Sequence, residues 1–110
     1  MQMYSDYLAE LYGAITIVED FGFCVIKPMN DQVWHIAEFY VKPEHRGTEA
    51  TDKLFNRMVA TCRASGARAI TSCVKVKGQN GSHISIAAQI KRGLLPFQAD
   101  DDIVSFMMKL

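Results

Sequence analysis

The residues best placed to do chemistry lie in one run, Glu38-Phe39-Tyr40-Val41-Lys42-Pro43-Glu44-His45-Arg46-Gly47, which passes straight into an amphipathic segment. It reads as a strand, a glycine-containing loop and the start of a helix. A helix N-terminus presents backbone N–H groups that have no intrahelical acceptor, and the aligned peptide dipoles add partial positive charge. That arrangement suits a phosphate or pyrophosphate; an ordinary tight turn, with Gly47 there for its backbone freedom, is the competing reading. Lys42 and Arg46 flank the loop with positive charge, and His45 either joins them when protonated or is simply solvated. Strand alternation sets Glu38, Tyr40 and Lys42 on one face and Ala37, Phe39 and Val41 on the other. Glu38 is then either a proton acceptor or a polar residue on the open face of a sheet. His83 is a second titratable candidate, an acid or base of suitable ordinary pKa or a solvent-facing histidine in a helical first turn. His35, beside Trp34, reads as a partly buried structural histidine.

Metal chemistry is not indicated. The three cysteines, Cys24, Cys62 and Cys73, form no CxxC pair and no four-ligand zinc spacing. Each stands among apolar neighbours, where a reduced thiol behaves as a small hydrophobe in a cytoplasmic compartment.

The 110 residues carry 12 Lys+Arg against 12 Asp+Glu, so net charge is zero, and 49% are apolar. This length predicts one domain over residues 1–110. The apolar content excludes global disorder. Neutrality argues against a nucleic-acid binder, which normally shows a basic excess, and leaves room for self-association as a homodimer. No apolar stretch is long enough to span a membrane, and Met1 to Gly13 lacks the basic start of a secretion signal, so a cytoplasmic location is expected.

The elements that must position these residues follow from periodicity and turn chemistry. Tyr4, Tyr7, Leu8 and Leu11 predict a short helix over 3–12 that stops at Gly13. Strands are expected over 14–18, 23–26 and 32–41, with a turn at Pro28-Met29-Asn30-Asp31. Short connections between them imply an antiparallel meander. From Glu49 to Ser65, Ala50, Leu54, Met58 and Cys62 step by four beside Phe55 and Val59, one amphipathic face of a helix stopped by Gly66. A strand over 67–76, a loop at 78–81, a helix capped by Ser82 and running to about Arg92, and a last strand over 103–110 complete the order α-β-β-β-α-β-α-β. The fold class is α/β (α+β): a single mixed sheet, a meander followed by β-α-β-α-β, with helices on both faces.

The run EFYVKPEHRG followed by a helix resembles motif A of the GCN5-related N-acetyltransferase (GNAT) superfamily, where a strand ends in V-x-P-x-x-R-G before the loop that holds the coenzyme A pyrophosphate. The likeness extends over about residues 14–110. Residues 67–76 resemble the next strand, which splays from the motif A strand. Asn80 to Leu94 resembles the N-x-x-A helix ending in Gly-Phe, and Ile103 to Leu110 the closing strand. The resemblance implies an acetyl-CoA-dependent N-acetyltransferase acting on an unidentified amine acceptor. Phe39, Tyr40 and Val41 would meet the pantetheine, Arg46, Gly47, Thr48, Glu49, Ala50 and Thr51 the pyrophosphate, and Glu38 and His83 would be the catalytic candidates.

Three departures stand beside it. Glu49 occupies a position where the family has Gly, and Thr51 one where it has Gly or Ala. A carboxylate facing two phosphates would cost on the order of several kcal/mol, whereas one turned outward merely complements the helix dipole. Gln89 stands where many members carry an acidic tyrosine, leaving Ser82 and His83 as the nearest polar substitutes. The segment before the meander is short for the superfamily, and the compact size with the Asn-x-Ser-His-Ile run at 80–84 resembles small acetyltransferase-like proteins encoded by bacteriophages. Together these imply an alternative: a catalytically degenerate member serving as a binding, virion or assembly protein with a protein partner.

Overall fold

The computed structural model describes residues 1–75 and 86–110. Helix α1 (Gln2–Tyr12) ends at Gly13, whose φ of 66° closes the helix with N–H bonds back to Ala9 and Leu8. Of its expected apolar stripe only Leu8 is buried; Tyr4, Tyr7 and Leu11 stay about half exposed, as does Tyr12 beside them. The meander follows as β1 (Ile15–Glu19), β2 (Gly22–Pro28) and β3 (Val33–Val41), each neighbouring pair antiparallel. Gly22 is obligatory at the first hairpin, because a Cβ there would lie 2.2 Å from the Tyr40 carbonyl oxygen. The expected turn before β3 is made by Asn30, whose Oδ1 accepts from the N–H groups of Gln32 and Val33 at 2.8 and 2.9 Å.

A single 3₁₀ turn over Pro43–His45 leads to α2 (Glu49–Ala64). Thr48 caps it, its Oγ1 accepting from the Ala50 N–H at 3.2 Å. The face predicted for this helix is the face it buries: Leu54, Phe55, Met58, Val59 and Cys62. These join Ile17, Cys24, Ile26, Trp34, Ile36, Val41, Ile70 and Phe106 in the main core. Leu8, Ala14 and Val25 form a second, smaller core against α1. Cys24, Val25 and Ile26 therefore point alternately to the two sides of β2, and helices cover both faces of the sheet.

β4 (Ala69–Lys75), α3 (Ile86–Lys91), β5 (Leu95–Asp100) and β6 (Ile103–Lys109) complete the chain. The six strands lie in the order β1-β2-β3-β4-β6-β5, mixed because β3 and β4 are parallel. β5 is an addition to the expected order. It is an exposed edge strand carrying Pro96 and a bulge between Pro96 and Gln98, features that hide a strand from pattern reading. The expected loop at 78–81, the Ser82 cap and His83 lie outside the described residues.

Two irregularities in β3 open space on either side of the sheet. β3 pairs with β4 only through Val33↔Ala69, Trp34↔Ile70 and His35↔Thr71; beyond these the two strands part among the described residues. And the β2 register skips from Val25↔Glu38 to Ile26↔Ile36, leaving Ala37 as an extra, bulged residue. The bulge resets the alternation. Ile36 and Phe39 both face α2, while Ala37 turns to the α1 side beside Glu38, correcting its expected place with Phe39 and Val41.

Candidate functional site

Where β3 and β4 part, a cleft of about 200 Å³ opens on the α2 side. Its strand wall is Phe39 and Val41, its loop wall Arg46 and Gly47 with Thr51 from the first turn of α2, and its far wall Ala88, Lys91 and Arg92 of the α3 end. It is continuous at Phe39, Thr51 and Arg92 with a deeper apolar pit of about 30 Å³, room for one water, between Ile36, Phe55 and Leu94. Phe39 and Phe55 meet as a tilted aromatic pair, ring centres 6.4 Å apart.

Three cations surround this cleft although the chain as a whole is neutral. Arg46 folds back on the strand end, its Nε donating to the Val41 carbonyl at 2.8 Å and its guanidinium 5.5 Å from the Tyr40 ring. Arg92 lies 5.9 Å from the Phe55 ring and pairs with Asp52 at 3.1 Å. Its Nε is buried with no partner among the described residues. Lys91 is exposed at the rim. The loop between strand and helix is held by Thr48 and Thr51, whose hydroxyls donate to the His45 carbonyl at 2.6 and 3.4 Å. Gly47, at φ 71°, has open space where a side chain would stand. Its N–H and that of Thr48 have no acceptor among the described residues. An anion entering here would meet free N–H groups, a helix start and convergent positive charge.

The expected contact residues divide. Phe39, Val41, Arg46, Gly47 and Thr51 line the cleft. Tyr40 turns to the opposite face, its ring against Phe23 at 5.8 Å. Glu49 is exposed on the first turn of α2 and is not in the cleft wall, nor are Thr48 and Ala50. Lys42 is exposed and outside the cleft; Lys91 and Arg92 stand where Lys42 was expected to add charge. Their only sequence signal is a basic pair directly before the helix-closing Gly93.

Gln89 lies on the floor beneath the cleft, 1% exposed, its Oε1 accepting from the Ser72 hydroxyl at 2.6 Å. Glu38 is on the other side of β3, exposed, and accepts from the Tyr4 hydroxyl of α1 at 2.7 Å. That bond raises the Tyr4 phenol pKa above its ordinary value. His35 Nδ1 is 2.8 Å from the Thr71 hydroxyl. Burial, with the Lys27 charge adding, lowers its pKa, as fits a neutral structural histidine. Burial pushes the Cys24 and Cys62 thiols up to about 12 and about 11, so neither is a nucleophile at neutral pH. Cys73, expected in the core, is exposed instead.

A parted pair of parallel strands with a strand–loop–helix on one side is the geometry implied by the sequence motif, and residues 4–84 match the acetyltransferase (GNAT) family as a whole. The chain belongs to that family. Solved acetyltransferase structures share its fold. An IAA acetyltransferase from Bacillus cereus ATCC 14579 superposes with a TM-score of 0.75 at 16% identity, over 99% of this chain and 84% of that one. An acetyltransferase from Streptococcus agalactiae 2603 gives 0.67 at 20% identity, over 82% of this chain. This chain spans 60% of the streptococcal protein's length. A GNAT family acetyltransferase from Elizabethkingia anophelis, with acetyl-CoA bound, gives 0.68 at 12% identity, over 84% and 70% of the two chains. No curated protein matches the sequence. Among the described residues no helix is long and apolar enough to cross a membrane, and no group of His, Cys, Asp and Glu is arranged to hold a metal.

Proposed function

We propose that this GNAT chain is an acetyl-CoA-dependent N-acetyltransferase. The observation that carries the reading is the cleft between the parted strands, apolar along Phe39 and Val41 and ringed by Arg46, Lys91 and Arg92. A coenzyme A molecule has that same division, an uncharged pantetheine arm and a phosphorylated end. The pantetheine arm would lie along Phe39 and Val41, where β3 no longer pairs with β4 among the described residues, and the N–H groups of Gly47 and Thr48 offer donors to the pyrophosphate. The buried Nε of Arg92, without a partner among the described residues, supports the same placement.

Bound acetyl-CoA would supply an acetyl thioester: the amine nitrogen bonds to its carbonyl carbon, the C–S bond breaks, and sulfur leaves as the thiol with one amine proton. Glu38 takes the other proton, the one that makes the acceptor an unreactive ammonium. Glu38 lies in the stretch of β3 that no longer pairs with β4 among the described residues. Gln89 has no proton to give at neutral pH, so the departing sulfur draws its proton from the amine or water.

One observation favours the degenerate alternative. The Thr48 cap already occupies the Ala50 N–H, removing a donor from the helix start. A binding or assembly role, including a phage-encoded one, would then replace transfer, with a protein partner over the Arg46 loop. Acetyl-CoA binding followed by amine-dependent thiol release decides between them. Binding with release establishes the enzyme; a folded protein that neither binds nor releases establishes the alternative.

A further inference from the structure

A second groove, of about 370 Å³, lies on the opposite face of the sheet from the cationic cleft, between α1 and strands β2 and β3. Its size is that of a small-molecule site. The walls are the rings of Tyr4, Tyr7 and Tyr12, and the floor includes Val25 and Ala37. Two of the three tyrosines are more than half exposed, Tyr7 at 53% and Tyr12 at 52%, so α1 presents its aromatic stripe to the groove rather than sinking it in a core. Glu38 lies in this groove beside the bulged Ala37, and Lys27, two residues beyond Val25 on the same face of β2, is in it too. Val25 is registered opposite Glu38 and Lys27 opposite His35, with the bulge between, so Lys27 and Glu38 stand on neighbouring strands of one groove. Lys27 Nζ rests 5.4 Å from the Tyr12 ring, and among the described residues no carboxylate pairs with it.

The groove thus has an anionic end, a cationic end and an aromatic wall. We propose that it is the acceptor site and that the acceptor is a free amino acid with an aromatic or large apolar side chain. The inference rests on the N-acetyltransferase reading and specifies its missing substrate. Glu38, in the stretch of β3 that no longer pairs with β4 among the described residues, meets the ammonium. Lys27 meets the carboxylate, and the tyrosine rings cover the side chain. A plain amine would leave Lys27 facing no charge. A peptide N-terminus would offer it only an amide carbonyl, a weaker acceptor than a carboxylate.

Phenylalanine, phenylalaninamide and phenethylamine keep one ring and one amine while changing the group offered to Lys27. With acetyl-CoA as donor, phenylalanine has a kcat/KM about tenfold or more above the other two, the scale of one charge-assisted hydrogen bond. Lys27→Met, checked for folding by its melting temperature, lowers the phenylalanine value about tenfold relative to the other two. The donor-free protein titrated with phenylalanine shows shifts in the ring signals of Tyr4, Tyr7 and Tyr12. Equal kcat/KM values in the unaltered protein overturn the inference, as does phenylalanine binding that leaves the tyrosine rings undisturbed. Calorimetry with acetyl-CoA separates the two levels. Donor binding without acetylation of any of the three compounds overturns the amino-acid acceptor alone, and no donor binding overturns the transferase reading together with it.

Discussion

The Tyr4 hydroxyl donates to the Glu38 carboxylate at 2.7 Å, joining the exposed face of α1 to the bulged middle of β3. The bond favours the protonated phenol, because a phenolate there would face the carboxylate, and so Tyr4 titrates above the ordinary tyrosine range. Glu38→Gln removes the charge, and the Tyr4 titration, followed by its ring signals, falls back toward about 10. The same variant loses acetyl transfer by about 10²–10⁴, the usual contribution of a positioned base, while acetyl-CoA binding is retained. An unchanged rate would remove Glu38 from the reaction.

Arg92 brings charge to the cleft from the far end of α3, and Asp52 on α2 holds its Nη2 at 3.1 Å. Arg92→Met and Arg46→Met each weaken acetyl-CoA binding about tenfold, and raising salt narrows the difference from the unaltered protein. Glu49→Gln, on the exposed first turn, leaves that dissociation constant within about twofold. It costs only the dipole contribution to α2, about 0.3–1 kcal/mol. Calorimetry at two salt concentrations checks all three. A Glu49→Gln variant that binds far more tightly would show that the carboxylate faces the phosphates.

Ser72 and Gln89 are both buried and bonded to each other at 2.6 Å. Ser72→Ala leaves the Gln89 carbonyl oxygen without that donor, at a cost of about 1–3 kcal/mol. The melting temperature should fall by at least about 4 °C. Adding Gln89→Met to Ser72→Ala recovers part of the loss, since no orphaned acceptor remains. Equal melting temperatures for the parent and Ser72→Ala proteins would contradict a paired, buried bond.

His35 gives the chain a pH dependence of known sign. Burial and the Lys27 charge lower its folded pKa beneath the ordinary ~6.5, and its facing group from β4 is the uncharged Thr71 hydroxyl. Below that value the unfolded chain binds a proton that the folded chain resists, so stability is full above about 6.5 and is lost as pH falls toward the folded pKa. His35→Gln removes this component. Between about pH 7 and 5 its melting temperature should fall less than that of the parent, and parallel curves would contradict the assignment.

The elements readable from the sequence are those whose signal is local. α2 carries its core face in its own spacing, and the Asn30 turn, Gly13 and Gly66 act within a few residues. The motif A run located Arg46, Gly47 and Thr51 in the cleft because a strand, a loop and a helix start are consecutive in the chain. What escaped was tertiary. Lys91 and Arg92 reach the cleft from a helix far along the chain, and nothing near them says where they point. The Ala37 bulge is set by β2, whose register counts β3 residues differently from simple alternation, so it moved Ala37 to the Glu38 side. Tyr4 and Tyr7 belong to the expected apolar stripe and yet, with Tyr12, wall an open groove, because only Leu8 finds a core to enter. β5 reads as a loop because Pro96 belongs only at an edge, which is where the strand lies.

Thermal unfolding with and without acetyl-CoA at about 1 mM tests the central claim most directly. At ~100 times its dissociation constant a ligand stabilises by about 2.7 kcal/mol, which in a domain of this size raises the midpoint by roughly 10 °C. That rise is the expected result for the unaltered protein, with a smaller one in Arg46→Met and Arg92→Met. A midpoint that does not move in the unaltered protein would contradict a donor site between β3 and β4.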